Sequence, residues 1–159
     1  MRIIDKLSKE LLHTPETTLF GKFRNIVFGA ATYITWATIV IGIYRQQIPE
    51  WKDLQIFAFA PSESYKFISM CLFAPICEEI LFRMPLSIVK KWLNQDIFIL
   101  YCIILSSMIF GYMHKMGVWS IPIQGVAGLL FCYVYLKNGY SYVSSVLMHF
   151  IINFYYFLK

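Results

Sequence analysis

The sequence predicts an all-α bundle of about five membrane-spanning helices, and two observations carry that expectation. The first is composition. Of 159 residues, 58% are hydrophobic and only 14% charged, and the mean hydropathy is +0.60. An ordinary soluble domain carries about 45–50% apolar and roughly 25% charged residues. That much apolar surface does not fit inside one soluble core of this size. The second is arrangement. The apolar residues fall into five runs, near 25–44, 66–89, 96–114, 119–136 and 142–158. A helix of about 17–25 residues crosses the hydrocarbon, and in lipid each such segment must satisfy its own backbone, so each is expected to be helical.

Taken in order, residues 1–13 place Ile3, Ile4, Leu7, Leu11 and Leu12 at helical spacing, with Lys6, Lys9 and Glu10 off that stripe. This predicts an amphipathic helix lying on the membrane surface, within an interfacial segment over 1–24; a disordered basic tail is the alternative. No apolar stretch with a small-residue cleavage site opens the chain, so no cleavable signal peptide is expected. The first run is followed by the longest connection, 45–65, with Pro49, Pro61 and the short apolar piece 56–60. If that piece re-enters the membrane, the count rises to six. The other connections, near Asn94–Asp96, Lys115–Gly117 and Asn138–Ser141, are tight, and tight connections make successive helices antiparallel. The last run is short enough to be steep or to stop in the interface. The whole chain, 1–159, reads as one domain.

The net charge of +5 does not point to nucleic acid. Arg24, Arg45, Lys66, Lys90, Lys91, Lys115, Lys137 and Lys159 sit at the ends of apolar runs, where headgroups hold them. No basic stripe is interleaved with aromatics. Cys71, Cys77, Cys102 and Cys132 lie inside apolar runs and form no C-x-x-C pair, so neither a disulfide framework nor a zinc ribbon is expected. Localisation is expected in the cell membrane, as a multi-pass protein with the lipid bilayer as its solvent. The basic-residue rule favours a cytoplasmic N-terminus, which puts His114 at the opposite edge.

The chemistry should lie with ionisable residues inside the runs. An ionised side chain at a helix centre costs about 2.5–3.5 kcal/mol, so such residues face the bundle interior and mark function by default. Glu79 and Arg83 are four apart and share a helix face, which favours an ion pair. One buried cation does not serve two carboxylates, so Glu78, about 100° round the helix, is left without a local partner. The third run ends in Phe110-Gly111-Tyr112-Met113-His114; Phe110 and His114 are one turn apart, and Gly111 allows a close backbone approach. In the fifth run His149 and Asn153 stack on one face, which calls for a shared polar partner or for interhelical hydrogen bonding as packing glue.

These parts suit a hydrolase. A carboxylate beside a histidine can hold and deprotonate a water, and a second histidine with an amide N–H can stabilise an oxyanion. Asp5, Asp53 and Asp96 all lie outside the runs or at their edges, which argues against Ser–His–Asp and aspartic chemistry. The residues alone leave a metal open: Glu78, His114 and His149 are three potential zinc ligands with water fourth, although the contiguous H-E-x-x-H motif is absent.

E-E-x-x-x-R at Glu78, Glu79 and Arg83, F-x-x-x-H at Phe110 and His114, and H-x-x-x-N at His149 and Asn153 occur in that order on three separate runs. Together they resemble the CAAX protease and bacteriocin-processing (Abi) family, over about residues 66–158. The resemblance implies a glutamic intramembrane endopeptidase with no metal cofactor. Glu78 and His114 would activate water, His149 and Asn153 would stabilise the oxyanion, and Glu79, Arg83 and Phe110 would support the site. It also implies a site reached from the cytoplasm, against the basic-residue rule. The chain is shorter than the prenyl-protein endopeptidases, so a peptide or membrane-protein substrate is expected rather than a prenylated one in particular. Small members are associated with bacteriocin self-immunity, and a non-proteolytic immunity or membrane-binding factor is the alternative function. A transporter is disfavoured, because neither internal repeats nor paired half-helices are visible.

Overall fold

The computed structural model describes residues 15–47, 62–93, 95–114 and 116–159, and among them the chain is helical with no strand. The expected amphipathic helix over 1–13 and the apolar piece over 56–60 lie outside the described residues.

Helix α1 spans Leu19–Gln47. It begins before the apolar run because Thr18 caps it, its Oγ1 accepting the Gly21 N–H at 3.0 Å. At about 1.5 Å per residue, its 29 residues exceed the roughly 30 Å hydrocarbon thickness. The second helical rod opens with α2 (Glu63–Phe67), where Ser62 accepts from the Tyr65 N–H. It widens into a π-helical stretch, Ile68–Phe73, and continues as α3, Ala74–Trp92. Helix α4 is Asp96–Tyr112. The next rod starts as a 3₁₀ turn, Gly117–Ser120, passes through a second π-helical stretch, Ile121–Gly125, and becomes α5, Val126–Lys137. Gly139, with φ of 75°, turns the chain, and α6 runs over Tyr142–Phe157, with Ser141 accepting from the Ser144 N–H.

By length and apolarity, two of these rods suffice to cross a membrane: Leu19–Gln47 and Gly117–Lys137. Helices α4 and α6 are apolar but shorter. Much of the outward surface is apolar. On α4, for example, Ile97, Tyr101, Ile104, Leu105 and Met108 are exposed, whereas Ser106 and Ser107 are buried.

The interior divides into two clusters. One gathers Ile26, Ala30 and Tyr33 of α1 with Phe82, Phe110, Phe131, Met148 and Ile152. The other joins Leu86, Ile99, Ile103, Cys132, Tyr135 and Leu136. A polar clasp ties α1 to the end of α5: Asn25 Nδ2 donates to Asn138 Oδ1 at 2.8 Å, and Asn138 Nδ2 donates to the Lys22 carbonyl at 3.1 Å.

The close approach expected at Gly111 is present. A Cβ there would lie 2.8 Å from the Gly125 backbone nitrogen and 2.9 Å from the Ile121 Cα. On the same seam, a Cβ at Gly128 would meet the Ser107 Cα at 3.0 Å. Small residues thus let α4 pack directly on the backbone of the 121–125 stretch, as membrane helices do where apolar burial cannot drive association. Backbone cannot yield as a flexible side chain can. Gly111→Ala is therefore expected to destabilise the protein by about 1–3 kcal/mol, read as a lower melting temperature in lipid bicelles. A melting temperature equal to wild type would refute the tight seam.

Candidate functional site

Helix α3 carries the charges. Glu79 and Arg83 are both fully buried. Arg83 Nε donates to Glu79 Oε2 at 2.9 Å and its Nη2 to Oε1 at 3.4 Å, which is the expected i,i+4 pair. The rest of the guanidinium is also occupied: Nη1 lies 3.1 Å from Cys132 Sγ, and the group sits over the Phe131 ring at 5.8 Å. Glu79 then receives a third donor across the bundle. The Nδ1–H of His149, on α6, donates to Glu79 Oε1 at 3.1 Å.

Glu78 is placed differently. Its side chain is one-third exposed, yet its Oε2 is buried and has no hydrogen-bond partner among the described residues. The nearest cationic or imidazole group is His149 Nε2, at 3.9 Å. A buried carboxylate oxygen without a donor is costly, so such an atom marks a place prepared for something else.

His114 follows the last turn of α4. Its Nδ1 lies 2.7 Å from the Phe110 carbonyl. A carbonyl only accepts, so the proton is on Nδ1 and the lone pair of the neutral ring is on Nε2. The same logic holds for His149, whose Nδ1–H is taken by a carboxylate. Each histidine is thus oriented by its Nδ1 and offers Nε2 to other chemistry. Phe110 packs between them, with ring centroids 4.8 Å from His114 and 6.0 Å from His149. Phe131 stacks on His149 at 4.5 Å and 21°.

Glu78, His114, His149 and Asn153 all line one cavity of about 290 Å³. Glu79 and Arg83 stand behind that wall. Of the two expectations for His149 and Asn153, a shared polar partner or separate interhelical hydrogen bonds, the structure has the second. His149 reaches Glu79, whereas Asn153 Nδ2 donates to the Met70 carbonyl at 2.8 Å, because the two side chains face different stretches of the second rod. Phe131 and the cavity wall from α1, where Tyr33 donates to Gln124 Oε1 at 3.2 Å, carry no signal in the sequence, since an aromatic in an apolar run looks like ordinary packing. Among the described residues, no three His, Cys, Asp or Glu side chains converge to hold a metal ion.

No curated protein and no solved structure matches the chain. A family model does match, that of the type II CAAX prenyl endopeptidase Rce1-like proteins, over residues 60–155. The matched region is more than half of the chain and holds all three motifs and every side chain assigned to the candidate site from the sequence. Alongside the cavity just described, it shows that the chain belongs to the Rce1-like type II CAAX prenyl endopeptidase family.

Proposed function

We propose that the chain is a multi-pass intramembrane endopeptidase of the glutamic type, acting on a peptide or membrane-associated protein. The observation that carries this reading is the buried Glu78 Oε2, without a hydrogen-bond partner among the described residues, in a cavity shared with His114, His149 and Asn153. Membership of an Rce1-like family supports the reaction class, and the many large apolar side chains exposed on the rods support a lipid surround for a single bundle with its core over 66–158. A helix that is apolar on its exposed side and polar within is at home in hydrocarbon, not water.

In this reading a water lies between Glu78 and His114. The Nε2 lone pair of His114 accepts one of its hydrogens, and Glu78 takes the other proton as the water oxygen attacks the scissile carbonyl. The tetrahedral oxyanion is held by His149 and Asn153. Asn153 gives one amide N–H to Met70 and keeps its second for the oxyanion. A donor at His149 Nε2 requires the doubly protonated ring. Glu78 then returns its proton to the leaving nitrogen as the C–N bond breaks. No step in this reading passes through a metal.

The test is cleavage by purified protein in lipid vesicles. Substrates are a C-terminal CAAX peptide with and without its prenyl group, and products are identified by mass. Cleavage that Glu78→Gln abolishes is the expected result. Absence of cleavage of any membrane-associated peptide, with biological activity unaffected by Glu78→Gln, would favour a non-proteolytic immunity factor. Treatment with a zinc chelator is expected to leave the rate within about twofold of untreated enzyme. Loss on chelation that added zinc restores would overturn the metal-free mechanism.

A further inference from the structure

We infer that Pro75 and the π-helical stretch before it are a positioning device that frees the Met70 carbonyl to hold Asn153. The inference rests on the reading of Asn153 as an oxyanion donor.

In an α-helix the Met70 carbonyl would accept the N–H of residue 74. Here the Ala74 N–H instead reaches five residues back, to the Ser69 carbonyl. In a π-helical register the next donor would be residue 75, and residue 75 is proline, which has no N–H. Both backbone donors within reach of the Met70 carbonyl are therefore removed, one by the wide turn and one by the residue type. The orphaned oxygen is satisfied from another helix, by Asn153 Nδ2 at 2.8 Å. An unsatisfied carbonyl in an apolar setting is costly, so the vacancy on the ladder and the amide of Asn153 hold each other.

The same wide turn serves Glu78. Met70, Ala74 and Glu78 all line the cavity at successive spacings of four. In a regular α-helix two such steps overshoot whole turns by about 80°. A wider turn between Met70 and Ala74 takes up part of that overshoot. One irregularity thus aims the carboxylate and anchors the amide on the same cavity wall. π-Bulges of this kind occur often at functional sites.

Met70–Cys71 is the only Met–Cys pair in the sequence. Labelling methionine with ¹³C at the carbonyl and cysteine with ¹⁵N therefore isolates the Met70 carbonyl as a single NMR correlation. In otherwise wild-type protein, Asn153→Ala should shift that carbonyl upfield as the hydrogen bond is lost. In Pro75→Ala, backbone N–H groups recapture the carbonyl, so the added Asn153→Ala change should leave the resonance in place. Pro75→Ala should also lower kcat about tenfold with KM unchanged, below the 10²–10³ for loss of a whole oxyanion donor. An unmoved Met70 resonance in Asn153→Ala, or full kcat in Pro75→Ala, would overturn the inference. The NMR arm needs no activity and reports on folded protein, so it separates the two claims. A resonance that responds as expected while Glu78→Gln still cleaves would remove the glutamic assignment and leave the hydrogen bond standing.

Discussion

Glu78→Gln is expected to lower peptide-bond hydrolysis by about 10²–10⁴-fold, with membrane levels and melting temperature near wild type. The substitution keeps the shape and hydrogen-bonding reach of the side chain and removes only its ability to take and return a proton. Little stability should be lost, because the Glu78 side chain is one-third exposed and its Oε2 has no donor to lose among the described residues. The neighbouring residue is the internal control. Glu79→Gln strikes a fully buried carboxylate that serves both Arg83 and His149, so its first effect should be on folding. His114→Ala should cost hydrolysis as Glu78→Gln does. The double variant should be little worse than either single one, since two groups that act on one water are not additive. Kinetics in vesicles, with melting curves of the same preparations, check both effects. Full hydrolysis by well-folded Glu78→Gln would sink the glutamic assignment, and additive losses would mean that Glu78 and His114 act on different steps.

The parts of this arrangement that depend on one helix were legible in the sequence. The Glu79–Arg83 pair follows from a spacing of four. The spare Glu78 follows from counting buried cations. The close approach at Gly111 follows from a residue without a Cβ in an apolar run. Helix limits were read less well: α1 begins at Leu19 because Thr18 caps it, whereas hydropathy alone starts the run at Asn25. What depends on two helices was not legible. That His149 reaches Glu79, and that Asn153 finds a main-chain carbonyl, is set by how α6 lies against the second rod. Phe131, stacked on His149, is one of fourteen phenylalanines and carries no local mark. The π-helical stretch has a sequence cause in Pro75, but a proline near the start of a helical run reads first as a helix N-terminus. The cavity wall contributed by Tyr33 and Ile41 of α1 lies outside both the motifs and the family match.

Arg83→Met is expected to be the most destabilising single change in the bundle, by about 3–5 kcal/mol. The methionine fills much of the space, so the cost arises mainly from the charge left behind. Glu79 is fully buried, and without the guanidinium its carboxylate keeps only the His149 N–H. Arg83→Lys should recover part of the loss. An ammonium supplies the charge but not the planar fork that meets both Glu79 oxygens and also reaches Cys132. The informative variant is the double one, Arg83→Met with Glu79→Gln, in which no uncompensated charge remains. Its stability should return most of the way to wild type. Hydrolysis should not return with it, because the acceptor of the His149 Nδ1–H is then a neutral amide and the ring loses the carboxylate that orients it. Unfolding in bicelles and vesicle kinetics on the same samples separate the two quantities. A double variant that regains both would make Glu79 and Arg83 a folding element alone; one that regains stability but not turnover ties this buried pair to the orientation of His149.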